Sequence, residues 1–470
     1  MKKGIVSSFK AGLIDTQHGE GYGRILRYFF PEFISALVLY SLPFWLDAYF
    51  VGQLESISMY ATLGATNNLI HFIIKLAESI SVGVVIMSGQ FNGMQENHKV
   101  GRTVADTFWS TCFLGALISS FLFFGAHAIY VWYGVPQDMI AFGIPFLRLR
   151  AFSVFFIFLY MALIGFLRGV KNTKIPMVIF IIGSAIFLFF DYALILGNFG
   201  FPRMELQGSA VASLIQYGVM VLLVLSYILL NKQYRKYGID LLKTIADRTY
   251  VKQLFFLSWP VMIDKATMAW SYIWLCKMIN PMGTCTVAAF CVVKDMERFA
   301  FLPAIAFAQV ITFLVSNDYG MRNWAAIKSN LKKICFMSSI AVFSVLFLFA
   351  LNPAPIIRFF DRKGEFTLLA AYAFPILSVL VFFDLVQLIL SGALRGAGNV
   401  RVVMYVRLAI CLGYFVPLSY MISTIDFQSA TLKFILLYGS FYFGNALMSV
   451  VYIGRLRGEL WKVSSLQETV

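Results

Sequence analysis

The chain has 470 residues, of which 60% are apolar, 17% aromatic and only 13% charged, with a formal net charge of +15. Its mean hydropathy is +0.78. Soluble domains carry roughly 45–50% apolar and about 25% charged residues, so a water-soluble, disordered, fibrous or disulfide-stapled protein is excluded and a polytopic membrane protein remains.

A helix crossing the roughly 30 Å hydrocarbon core needs about 20 mostly apolar residues, and helices satisfy their own backbone groups there. In chain order such stretches lie near 25–50, 57–88, 104–132, 140–167, 175–198 and 207–230. After a basic stretch at 231–252 they resume near 253–280, 284–315, 333–353, 367–393, 402–423 and 431–454. The expected fold is all-α, with twelve transmembrane helices. The second and eighth spans read as the least hydrophobic, and ten helices would remain without them. No removable signal peptide is expected, because the polar arm before the first span shows no small-residue cleavage site. The expected organisation is a cytoplasmic arm at 1–24, a six-helix lobe at 25–230, a linker at 231–252, a second six-helix lobe at 253–454 and a tail at 455–470.

The basic residues follow the loops. Alternate connections, counted with both terminal segments, hold 25 Lys and Arg on one side of the membrane against five on the other. Such asymmetry orients a membrane protein with its basic loops inside. Both termini are therefore expected in the cytoplasm, with the chain in the cytoplasmic membrane in contact with lipid. Nucleic-acid binding is not expected. The six cysteines are scattered through apolar spans without a CxxC spacing, and the four histidines show no ligand spacing. No metal site is expected.

The chain repeats itself at a shift of about 227 residues. GFLRGVKNTKIPMV, with Arg168, Gly169 and Asn172, returns as GALRGAGNVRVVMYV, with Arg395, Gly396 and Asn399. Gly93 matches Gly320, and Pro31 in the first span matches Pro260 in the seventh. An even number of spans per half restores direction, so two pseudo-symmetric lobes around a central cavity are expected, an architecture of secondary transporters. The Leu-Arg-Gly motifs, read as loop features, would cap carbonyls and let the chain turn closely. The paired prolines would permit helix bending, and passive kinks are the alternative.

An ionisable group at membrane depth costs roughly 2.5–3.5 kcal/mol or more and is usually functional. Asp47 and Asp191 both fall toward the outer ends of their spans and could face one cavity, where desolvation and mutual repulsion favour taking up a proton or cation. Asp384 lies mid-span with Gln387 on the same face, as a coupling or cation-binding group or in an ion pair with Lys265 or Lys294. Lys75 and Glu78, three apart, are expected to neutralise one another. The run Lys294, Asp295, Glu297 and Arg298 covers more than one helix face, as an ion-pair network or part of a substrate site. Asp264, in the seventh span, is a further candidate for the substrate cavity. The intramembrane cations Arg148, Arg150, Lys265 and Arg298 suit a cavity that takes zwitterionic or anionic solutes. Trp45, Tyr192, Trp270, Tyr272 and Trp274 could stack on flat ligands or face lipid. An ATP-driven pump is excluded for want of a G-x-x-x-x-G-K-[ST] loop, and no catalytic grouping suggests an enzyme.

In the order and spacing of its motifs the chain resembles the multidrug and toxic compound extrusion (MATE) family, within the multidrug/oligosaccharidyl-lipid/polysaccharide exporter superfamily. The resemblance spans about residues 24–455. It rests on WLDAYFVGQL around Asp47, FFDYALILG around Asp191 with QGSAVAS following, FFDLVQLILSGALRGAGN around Asp384, and the repeated LRG. It implies export of small organic solutes or drugs coupled to inward flow of protons or sodium ions, with no other cofactor and a monomer as the working unit. It also implies coupling roles for Asp47 and Asp191, with Ser213 where a Thr commonly joins, and for Asp384. Phe187 stands where the family often has Asn, which removes a sodium ligand and favours protons. The alternative within the superfamily is a flippase for a lipid-linked saccharide.

Overall fold

The computed structural model describes residues 18–40, 42–54, 56–134, 136–241, 248–361, 364–427 and 429–462. The expected arm, linker and tail lie partly outside them. Among the described residues all regular structure is helical. In the first predicted span the described residues on either side of residue 41 are helical, as α1 (Tyr22–Tyr40) and α2 (Leu42–Gly52). There follow α3 (Ile57–Gly93), α4 (Asn97–Trp132), α5 (Gln137–Gly169), α6 (Lys174–Leu196) and α7 (Leu206–Leu230). The second half holds α8 (Arg248–Ile279), α9 (Thr284–Gly320), α10 (Trp324–Leu351), a short α11 (Pro353–Phe360) and α12 (Thr367–Gly396). The penultimate span is α13 (Val400–Ile410) and α14 (Val416–Thr424), joined by a wider turn at Cys411–Phe415, and α15 (Ala430–Arg457) closes the set. All twelve predicted spans correspond to helices.

Ten of these segments are long and apolar enough to cross a membrane among the described residues. The second and eighth spans are among them, and the eleventh and twelfth are less hydrophobic, which corrects the expectation that the second and eighth would be the least hydrophobic. The seventh span is the charged one: α8 carries Arg248, Lys252, Asp264, Lys265 and Lys277.

The chain divides into two compact units, one of residues 30–259 and one of residues 1–29 with 260–470. In the first unit α5 packs against α3, α4 and α7; in the second α12 packs against α9, α10 and α15. Small residues make these packings close. A Cβ on Gly165 would stand 2.8 Å from the Ser81 carbonyl oxygen, and one on Gly392 3.0 Å from that of Ala308. One turn on, a Cβ on Gly169 would meet the Ser88 hydroxyl at 2.0 Å, and one on Gly396 the Thr312 carbonyl oxygen at 2.4 Å. Each motif is thus the end of a small-xxx-small stripe of the kind that lets membrane helices touch.

Arg168, Gly169, Arg395 and Gly396 therefore occupy the last turns of α5 and α12, not loops. Both helices end alike. Asn172 N–H donates to the Leu167 carbonyl at 2.8 Å, and Asn399 N–H to that of Leu394 at 2.9 Å. The left-handed residue inside this closure is Lys171 (φ 62°) in one half and Gly398 (φ 80°) in the other.

The same asparagines hold the segment that follows each half's last helix. Asn172 Nδ2 donates to Tyr234 Oη at 2.7 Å, within the turn Lys232–Tyr237. Asn399 Nδ2 donates to the Trp461 carbonyl at 3.0 Å, within Leu460–Lys462. Tyr237 Oη bonds Asn92 at 2.9 Å, and Tyr319 Oη bonds the Lys462 carbonyl at 2.5 Å.

Candidate functional site

In the first unit Val51, Met59, Leu63, Phe146, Ile195, Leu206 and Ala210 form one apolar cluster. Successive helices joined by short connections run in opposite directions, so a step of one turn away from this cluster has the opposite sequence sign on neighbouring helices. Asp47 is four residues before Val51 and Asp191 four before Ile195, on α2 and α6. Asn67 is four after Leu63 and Arg150 four after Phe146, on α3 and α5. Those four, with Ser209 of α7 next to the cluster's Ala210, form a polar layer beside the cluster. Asp47 is 3% exposed and Asp191 0%. The two carboxylates feel each other's charge and that of Arg150, and Ser209 lies against both. Asp47 Oδ1, both Asp191 oxygens, Ser209 Oγ and the Arg150 Nε and Nη1 atoms are buried without a hydrogen-bond partner.

The expected neighbours Asp47 and Asp191 thus come together. Ser213 is the serine expected beside them, whereas Asn67 and Ser209 join them without a motif that marks them. Ser213 is buried one turn beyond Ser209, and Phe187 is buried one turn before Asp191. A serine one helical turn upstream of the one singled out was the available signal. Arg148, by contrast, is exposed, with its guanidinium over the Phe123 ring at 5.5 Å.

The second unit has its own acidic centre. Glu297 of α9 is buried and accepts hydrogen bonds from Tyr438 Oη at 2.5 Å and Tyr442 Oη at 2.6 Å, while its Oε1 has no partner. Asp384 of α12 accepts from Asn445 Nδ2 at 3.1 Å and feels the Arg407 charge. Glu297 and Asp384 also act on one another and on Tyr272. Gln387 is buried one turn from Asp384, against Tyr452. The neighbouring ionisable residues diverge. Asp295 and Arg298 are exposed, and Lys294 stands half-buried over the Phe290 ring at 5.5 Å. Lys265 is half-buried. Trp270 and Trp274 stack at 5.5 Å, and the side chain of Trp45 lies outside the described ones.

Other in-span acids are docked on arginines. Glu32 takes two bonds from Arg168, at 2.9 and 2.8 Å. Asp264 is bound by both Arg395 and Arg407. Both LRG arginines therefore close on an acid of α1 or α8 that follows the matched proline, Pro31 or Pro260, within about one turn. Those prolines stand beside the two points at which the chain passes between units. Lys75 and Glu78 pair at 3.1 Å, as their spacing predicts.

The family model described as MatE matches residues 33–193 and 260–421. The chain is 23% identical to the probable multidrug resistance protein YoeA of Bacillus subtilis over 85% of its own length and 87% of that protein's. It is 22% identical to the multidrug resistance protein NorM of Photobacterium profundum, over 84% and 88% of the two lengths. Among solved structures, a MATE transporter of Vibrio cholerae superposes with a TM-score of 0.85 at 16% identity, covering 94% of this chain and 98% of that one. An outward-facing multidrug resistance MATE transporter of the MOP superfamily gives 0.83 at 19% identity, covering 93% and 96%.

Proposed function

The chain belongs to the MatE family, the multidrug and toxic compound extrusion transporters, and from that premise we propose that it is a cation-coupled secondary exporter. It moves small organic solutes outward across the cytoplasmic membrane by alternating access, driven by protons or sodium ions, with both termini in the cytoplasm. It works as a monomer and needs no cofactor beyond the coupling ion.

The observation that carries this reading is the pair Asp47 and Asp191, buried in one polar layer with three carboxylate oxygens that make no close hydrogen bond, although Ser209 and Asn67 stand nearby. A static structural pair would be closed by hydrogen bonds, as Glu32 and Asp264 are. Carboxylates left open at membrane depth are suited to loading and releasing a cation. Ser213 and Ser209 supply neighbouring hydroxyls. In the other unit Asp384 and Glu297, with Gln387 and the surrounding tyrosines, make a second cation-attracting centre for cargo or ion. Lys265, Lys294, Asp295, Arg298, Arg148 and Asp264 are peripheral or docked and serve as supports or entry contacts. Bending at Pro31 and Pro260, where the helices already lack a backbone hydrogen bond, accompanies the change of exposure.

The test is efflux from proteoliposomes under separately imposed proton and sodium gradients, with cationic, zwitterionic and lipid-linked cargoes offered in turn. Gradient-driven efflux of a soluble solute is expected, and Asp47→Asn with Asp191→Asn should reduce it to the protein-free background. Gradient-driven efflux that survives the double replacement sinks the coupling assignment, and movement of the lipid-linked cargo alone would favour a flippase.

A further inference from the structure

Arg168, Arg395, Arg407 and Arg150 all stand at or near buried acids, and Arg150 is held differently from the other three. Arg168 grips Glu32, and Arg395 and Arg407 grip Asp264. Arg150 is near enough to Asp47 and Asp191 for its charge to act on both, yet its Nε and Nη1 atoms are buried and make no hydrogen bond. Its position follows from packing, since Phe146, one turn before it on α5, is fully buried in the cluster that also holds Val51 and Ile195.

We propose that Arg150 is a tethered cation that decides which ion the Asp47–Asp191 layer accepts, admitting a proton and rejecting sodium. The proposal rests on the coupling role given to that pair. Two carboxylates and one guanidinium carry a single net negative charge when all are ionised, so one proton completes neutrality. A sodium ion would need several oxygens, and the guanidinium offers only donors while repelling any cation brought to the same oxygens. Phe187, buried one turn before Asp191, presents no oxygen either. The other groups that face the layer are Asn67 from α3, Ser209 from α7 and Tyr217 from α7, which senses Arg150 and Glu78. Among these facing groups Arg150 is the sole cation.

The experiment compares the full-length protein with Arg150→Gln, Arg150→Met and Arg150→Lys. Each is melted in detergent with sodium chloride or choline chloride, and each is reconstituted for efflux under a proton or a sodium gradient. The wild type and Arg150→Lys should melt alike in the two salts and ignore the sodium gradient. The neutral variants should gain a sodium-specific rise in melting temperature, corresponding to at least about tenfold tighter sodium binding, together with sodium-driven efflux. Two neutral replacements guard against one that fails to fold. Sodium binding by the wild type overturns the proposal, and so does sodium indifference in folded neutral variants. If no form transports under either gradient, the coupling role of Asp47 and Asp191 fails, while the melting comparison still decides what Arg150 does.

Discussion

At the scale of residues, the in-span charges separate into docked and open ones. Glu32, Asp264 and Asp191 are all buried acids in apolar helices. Their cost in the membrane is the same by residue type, so sequence marks all of them as exceptional without ranking them. Rank comes from partners more than a hundred residues away, such as Arg168 for Glu32 and Arg407 for Asp264. Breaking such a pair on one side leaves a buried uncompensated charge. Arg168→Met alone should therefore destabilise the first unit by about 3–5 kcal/mol, and Arg168→Met with Glu32→Gln by distinctly less. Thermal unfolding of the four forms in detergent checks this, and equal losses for single and double variants would count against a coupled pair.

At the scale of elements, the repeated motif has three separable jobs. The glycine lets helices touch, the arginine closes on an acid, and the asparagine three residues later holds a distant turn. Only the first two residues were legible as a helix-end signal, because the helix they touch cannot be read from spacing. Gly396→Ala would push a methyl into the Thr312 backbone, which no rotamer change relieves. It should cost about 1–3 kcal/mol, visible as a lower melting temperature. Gly439→Ala, with its nearest neighbour a side chain 3.5 Å away, should be close to neutral by comparison.

The loop before α12 is another such element. Asp361 accepts backbone N–H bonds from Gly364, Glu365, Phe366 and Thr367, and a further bond from the Thr367 hydroxyl. Burial opposes ionisation there, but the Thr367 hydroxyl and the backbone donors outweigh it and hold the carboxyl below the usual aspartate range. The unfolded chain then takes the proton more readily than the folded one. The stabilisation is complete above the ordinary aspartate range and is lost as pH falls through the folded value. Asp361→Asn should melt at a lower temperature at neutral pH and show a smaller loss on acidification, measured by the same melts across pH 3 to 7 (roughly the range bracketing an ordinary aspartate).

At the scale of the molecule, each half closes on itself. The turn after its sixth span returns to the asparagine after its LRG motif, through Tyr234 in one half and Trp461 in the other. These positions differ by the same 227 residues as the motifs themselves. Trp461 is 1% exposed, with its ring against Tyr319 and Trp324. Trp461→Ala should cost about 3–5 kcal/mol and loosen the C-terminal segment, read as faster proteolysis there than in the wild type.

The sequence by itself determined the membrane class, the twelve helices, the two-fold repeat and the set of in-span charges worth attention. Those follow from local quantities, since hydropathy, span length and motif spacing are properties of consecutive residues. Tertiary structure alone decided that Asp47, Asp191 and Arg150 share a layer, that Glu32 and Asp264 are silenced by arginines, and that Glu297 turns inward while Asp295 and Arg298 turn out. Each of these depends on which faces of remote helices meet, and the small residues that bring those faces together are recognisable as contact points only once both sides of the contact are known.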